Sequence, residues 1–244
     1  MLDCAVLKEP SMLMRYAVIV AACGLLCVHT SQSQDFLYSV SVKGNFTVSS
    51  RLFYNVDASD EFLRSQYFAL DDVFGVGFDV RRRIEDTWIQ IGLSAEYLSK
   101  RQSYFSSLAR VPVEDGYWSV PVELSGYFII PFSSSTVRLY IGGGTGLYLG
   151  ERRYSYAGER ASIVSSKAGL GIHVVTGIEY ALAEWFALRS EVKFRDLQFE
   201  SSHVFTKSSV VYQGRTIQLP DQTPRRSRIN ADGMLIDAGI VIRF

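Results

Sequence analysis

The 244-residue chain carries 25 Lys and Arg against 25 Asp and Glu, so bulk charge gives no reason to expect a nucleic-acid partner. Charged residues make up only 20 % of it, and no unbroken apolar run reaches the roughly 18 residues of a membrane-spanning helix. Any spanning structure therefore has to be a barrel, and all-β barrels of this length fold as one unit.

Arg15, the apolar run from Tyr16 to Val28 and then Thr30-Ser31-Gln32-Ser33-Gln34 predict a secretory signal over residues 1–33, with the mature chain opening at Gln34. Asp3 and Glu9 sit poorly in a basic leader, which favours a start at Met12 or Met14. Val20-Ala21-Ala22-Cys23 resembles a lipobox, but the residues after Cys23 stay apolar where a lipoprotein would turn polar. Cys4, Cys23 and Cys27 all fall inside this leader, so the mature chain is expected to hold neither disulfide nor Cys-bound metal.

From Phe36 the pattern acquires a period of two. Phe36, Tyr38, Val40, Val42, Gly44, Phe46 and Val48 alternate with Ser39, Ser41, Lys43, Asn45, Thr47 and Ser49, a strand long enough to cross a tilted bilayer. Asn45-Phe46-Thr47 fits a glycosylation acceptor by chance, since Asn45 points to the polar side. Residues 50–71 lose the alternation and are read as the first long loop. The second strand sets Phe74, Val76, Phe78 and Val80 against Gly75, Gly77, Asp79 and Arg81; the third sets Ile89, Ile91, Leu93, Ala95 and Tyr97 against Trp88, Gln90, Gly92, Ser94 and Glu96.

A second loop is expected over about residues 101–115. The fourth strand then sets Trp118, Val120, Val122, Leu124, Gly126 and Phe128 against Ser119, Pro121, Glu123, Ser125 and Tyr127, although Pro121 cannot donate to a ladder. The fifth strand runs from Thr136 to Leu149. Its Gly142, Gly144 and Gly146 make room for large neighbours in a narrow interior, and with no Lys-Ser/Thr pair following, they do not read as a phosphate loop. After a third loop at about 150–164 come two further strands, with Gly169, Gly171, His173, Gly177 and Glu179, then Arg189, Glu191, Lys193 and Arg195, on their polar faces. The last loop, about 197–230, is the longest.

The closing strand alternates Met234, Ile236, Ala238, Ile240 and Ile242 and stops on Phe244. Ile240, Ile242 and Phe244 resemble the C-terminal signal of bacterial outer-membrane barrels, which implies the barrel-assembly machinery as a partner during biogenesis. The fourth strand is similar to that of small outer-membrane barrels. Gly177-Ile178-Glu179-Tyr180 with Leu188-Arg189-Ser190-Glu191-Val192 looks like the sixth and seventh strands of OmpA-like or OmpX-like proteins. The resemblance covers nearly all of residues 36–244. It implies an all-β, eight-stranded antiparallel up-and-down transmembrane barrel over 34–244, exported by its signal to the outer membrane and monomeric, without the peptidoglycan-binding domain of full-length OmpA-type proteins.

Alternation alone does not say which face looks inward, so a lipocalin-like carrier with an apolar interior is the structural rival. The glycines on the polar face decide: a cramped lumen needs them, whereas a solvated outer face gains nothing from them. The expected lumen charge network is Asp79, Glu96, Glu123, Arg138, Glu179, Arg189, Glu191 and Asp237, balanced because a buried charge is costly unless paired. An interior of this size is filled by side chains, so a wide pore is not expected. A narrow ion path through these groups is the channel alternative.

A barrel enzyme acting on outer-membrane lipid would need a His-Ser pair two apart on one strand, but Val175 stands where His173 would need its serine. His203 lies in the longest loop, and no His and carboxylate cluster has metal-ligand spacing, so no cofactor is expected. What remains is recognition by the loops. Arg225, Arg226 and Arg228 are the candidates for contact with phosphates of outer-membrane lipid or with an acidic extracellular partner. The rim aromatics Phe53, Tyr54, Tyr67, Phe68, Tyr104, Phe105, Tyr154 and Tyr156 read as an interface girdle.

Overall fold

A computed structural model describes residues 36–107, 109–134, 136–220 and 223–244. The expected signal at 1–33, the alternative starts Met12 and Met14, the lipobox-like Cys23 and the other two cysteines lie outside the described residues. Eight antiparallel strands form the wall: β1 Tyr38–Thr47, β2 Val73–Arg83, β3 Ile89–Ser106, β4 Val111–Ile129, β5 Val137–Tyr156, β6 Gly169–Ala181, β7 Phe186–Arg195 and β8 Gly233–Arg243. Each pairs with its sequence neighbour, and β1 pairs with β8 through Val42↔Ile240, so the sheet closes on itself with no free edge.

The period of two sets the faces. On β1, Ser41, Lys43, Asn45 and Thr47 are buried while Tyr38 and Val42 are exposed. Val76, Leu93, Leu124, Ile141, Ile172 and Leu188 carry the same exposed apolar face round the barrel, and the charges lie inside. That is the arrangement of a lipid-facing barrel and the inverse of a lipocalin. Trp88, expected on the inward face, is instead exposed with Tyr38, Tyr180 and Trp185 at the end of the short turns, where an aromatic girdle meets the headgroups. No helix among the described residues is long and apolar enough to cross a membrane; the one at Glu61–Ser65 is a single capped turn.

Pro121 is accommodated inside β4 at a local cost. The β3–β4 ladder holds one register on both sides, Ala95↔Val122 and Leu98↔Ser119, but is interrupted at the residues between. This is the expected trace of a residue that cannot donate.

Most of what reads as long loop is strand. β3 and β4 run without a break through 101–106 and 111–115, joined by a short turn where a loop of about 101–115 was expected. β5 continues to Tyr156, past the expected boundary at Leu149. The other connections contribute Arg51–Phe53, Tyr67–Ala69, Ser162–Lys167, Gln198–Val204 and Arg225–Asn230, which form a second five-stranded sheet. Its strand order follows that of the barrel strands they extend, namely β2, β1, β8, β7 and β6. The wall therefore continues beyond the lipid-facing belt on the side of the longer connections, which in this architecture is the outer side.

Two hairpin tips complete it: Ala157-Gly158 and Gln213-Gly214 lie at positive φ throughout, the conformation a two-residue type I′ turn requires.

Candidate functional site

The barrel interior is stacked in three zones. At membrane level, residues at every second position of β7 supply a column of charge: Arg189, Glu191, Lys193 and Arg195, all buried. Glu179 on β6 accepts from Arg189 Nη2 at 2.7 Å, from Arg138 at 3.4 Å and from Arg243. Arg189 reaches Asp79 at 2.9 Å, and Asp79 holds Arg81 at 2.7 Å. Arg81 continues to Glu191 at 2.5 Å, where the Tyr140 hydroxyl also donates at 2.7 Å. Lys43 spans Glu191, Asp237 and Glu96 at 3.3, 2.8 and 3.5 Å. Glu96 accepts from Lys193 and Arg195 at 2.9 and 2.7 Å, and Lys193 ends the chain on Glu123 at 2.6 Å.

Ion pairs thus connect the lumen from its short-turn end upward without a gap. Glycines make the space: a Cβ on Gly177 would stand 2.4 Å from the Tyr140 hydroxyl.

Above the charges lies an apolar layer of Leu52, Leu70, Val73, Leu98, Tyr117, Tyr148, Leu197, Phe199, Ile229 and Ala231. Above that sits a second polar group. Arg152 donates from Nε and Nη2 to the two oxygens of Asp115 at 2.9 and 2.5 Å, and from Nη1 to Ser227 Oγ at 2.7 Å. Its guanidinium lies 4.7 Å from the ring centre of Tyr154. This group floors a cavity of about 330 Å³ lined by Tyr54, Phe68, Tyr104, Asp115, Arg152, Tyr154 and Arg225. Burial, and then the Asp115 carboxylate, raise the Tyr104 phenol above its ordinary pKa.

Residues 18–219 match the family described as outer membrane protein beta-barrel domain. The chain belongs to that family. No curated protein matches it. Among solved structures, Neisserial surface protein A is 15 % identical, with 85 % of this chain and 97 % of that one covered and a TM-score of 0.45. Ail, the attachment invasion locus protein of Yersinia pestis, is 13 % identical, with 86 % and 100 % covered and a TM-score of 0.44. The outer membrane protein AlkL is 14 % identical, with 89 % and 94 % covered and a TM-score of 0.42.

In this outer-membrane barrel, seven of the eight residues expected in the lumen network, Asp79, Glu96, Glu123, Glu179, Arg189, Glu191 and Asp237, are buried together. Arg138 pairs with Glu179 at the rim and keeps a side chain 28 % exposed. The expected set held six acids and two arginines. Charge balance on the same strand parity is the signal for the cations it lacked: Lys43, Arg81, Lys193, Arg195 and Arg243.

His173 has a serine after all, from another strand: its Nε2 lies 2.8 Å from Ser125 Oγ. Both residues pair across β5 with Gly144, whose missing side chain lets them meet. A search along one strand could not find this pair. Both side chains are buried in the lumen, away from the lipid face.

The three outer arginines do not form one patch, because Arg225–Asn230 is a strand and period two divides them. Arg226 pairs with Asp57 and, at 3.6 Å, with Glu200; Arg228 lies 3.8 Å from Glu200. The hydrogen bond from Arg226 to Asp57 raises the arginine's pKa further. Arg225 lines the cavity. Ile240 and Phe244 are exposed on the apolar parity. Among the described residues no group of His, Cys, Asp and Glu is placed to hold a metal ion.

Proposed function

We propose that this protein is a monomeric envelope barrel closed to ions at membrane level, acting through its outward extension as a surface-interaction protein. The observation that carries the reading is the layered filling of the lumen. A continuous ion-pair chain lies beneath an apolar layer in which Leu52, Leu70, Leu98, Leu197 and Ile229 are all 0 % exposed. A hydrated ion entering from outside would pass the group of Asp115 and Arg152, meet that layer before it reached the charges below, and lose its water there. Planar-bilayer recording on the refolded protein tests this: no steady unitary conductance is expected, and a stable open level would make it a narrow ion channel. The apolar belt supplies the contact with outer-membrane lipid, and Ile240, Ile242 and Phe244 supply the contact with the assembly machinery.

The Ser125 and His173 pair favours a second reading, a lipid-modifying enzyme. Against it, an acyl ester in the membrane has no path to two side chains that are 4 % and 3 % exposed inside the lumen. We expect no release of fatty acid from outer-membrane lipid. Release that disappears in Ser125→Ala would establish the enzyme.

A further inference from the structure

We propose that the turn between β2 and β3, at the inner rim of the barrel, binds the headgroup of one phospholipid that carries both a phosphate and a primary ammonium, phosphatidylethanolamine. The inference rests on the lipid-facing reading of the apolar belt and needs neither a closed lumen nor a working outer end. It adds a lipid class that the belt alone does not select.

The cation comes first. Arg82 stands on the outward parity of β2, in line with Phe74, Val76, Phe78 and Val80, all of them exposed. Its guanidinium lies 5.6 Å from the ring centre of Tyr38, its partner across the β1–β2 ladder, and among the described residues it forms no ion pair. A guanidinium at the edge of a lipid face calls for an anion, and the phosphate of a lipid headgroup lies at that depth.

The carboxylates come next. β2 runs toward the short turns, so its outward residues descend through the inner leaflet in order: Phe74 to Val80 against the acyl chains, Arg82 at the rim, then the exposed Glu85 and Asp86 in the turn. Neither acid forms an ion pair among the described residues. A phospholipid presents its parts in the same order, acyl chain, phosphate and then the group beyond it. A primary ammonium in that last place would donate to the carboxylates. Choline has no N–H to give them, and a glycerol headgroup would leave a net negative lipid facing two acids.

The backbone of the turn is fixed. Thr87 N–H and Oγ1 donate to the Ile84 carbonyl at 3.2 and 2.8 Å, and Thr87 Oγ1 accepts from Ile89 N–H at 3.2 Å. An ordered backbone loses little freedom on binding. The other two short turns lack this arrangement: residues 131–134 hold no charge, and Glu184 has no cation on the outward parity of β6 or β7.

The test is native mass spectrometry of the full chain refolded in detergent and titrated with dioleoyl phosphatidylethanolamine, phosphatidylglycerol or phosphatidylcholine. The first phosphatidylethanolamine is expected to bind about threefold more tightly than either other lipid, the scale of one exposed charge pair. Arg82→Gln should weaken it about threefold. Glu85→Gln combined with Asp86→Asn should bring it down to the level of phosphatidylcholine and raise phosphatidylglycerol above both. Arg101→Gln, on the outward extension, should change nothing. Retention of the fast-migrating unboiled form on gels shows that each variant is folded. Equal binding of the three lipids, phosphatidylglycerol or phosphatidylcholine at least as tight as phosphatidylethanolamine, unchanged binding in the inner-rim variants, or an equal loss in Arg101→Gln would overturn the proposal. Conductance in bilayers bears on the closed lumen alone, so the two readings fail separately.

Discussion

The membrane-level half of the barrel and its outward extension are built from the same hydrogen-bonded wall in the same strand order, yet they solve opposite solvent problems. In the lower half the outside is lipid, so apolar residues point out and the charges between the rims point in, where ion pairs satisfy them, while Arg82, at the short-turn rim, is exposed beside Tyr38. In the extension the outside is water. Arg101, Gln102 and Ser103 of β3 and the whole of Ser162–Lys167 are exposed, and the interior mixes an apolar layer with the group of Asp115, Arg152 and Ser227. Backbone pairing is thus indifferent to its solvent, and side-chain alternation alone records where the lipid ends.

If the lower interior is a connected charge chain, its centre should be its most sensitive point. Glu191→Gln keeps the shape but takes the carboxylate from Lys43 and Arg81, and should cost about 3 to 5 kcal/mol in urea unfolding from lipid vesicles. A loss below about 1 kcal/mol would mean that water reaches these groups and screens them. The layer dividing the halves should respond as a dry core: Phe199→Ala should cost about 3 kcal/mol by the same measurement.

The lipid face supplies the next step down. Val42→Arg should cost about 2 kcal/mol, whereas a charge exchanged in the extension should be almost silent. Arg226→Gln, which removes exposed pairs with Asp57 and Glu200, should leave the unfolding midpoint indistinguishable from that of the parent.

This contrast also explains what could be read from the sequence. All eight strands and, Trp88 apart, their faces were legible because lipid outside and charge inside impose a period of two. The extension was read as loop because that difference vanishes: in Lys100-Arg101-Gln102-Ser103 neither parity is apolar, although all four residues pair with β4. Its tips were hidden for a second reason, since Ala157-Gly158 and Gln213-Gly214 are not the Asn-Gly or Asp-Gly pairs that announce a hairpin.

The interior network was legible through parity, and the balance expected of it is met only with Lys43, Arg81, Lys193, Arg195 and Arg243 beside the acids. The contact of Ser125 with His173 and the cavity were not legible, because both join residues from strands that only the closed barrel brings together.

The difference between the halves can be measured directly with single cysteines, since no cysteine follows Cys27. Leu93→Cys, Ser94→Cys and Ser103→Cys place a thiol on the lipid face, in the lumen and on the extension, in the protein refolded into lipid vesicles. A charged, water-soluble maleimide should label Ser103→Cys rapidly and leave the other two unreacted until the protein is unfolded. Rapid labelling of Ser94→Cys would contradict a closed lumen, and rapid labelling of Leu93→Cys would contradict the assignment of the two faces.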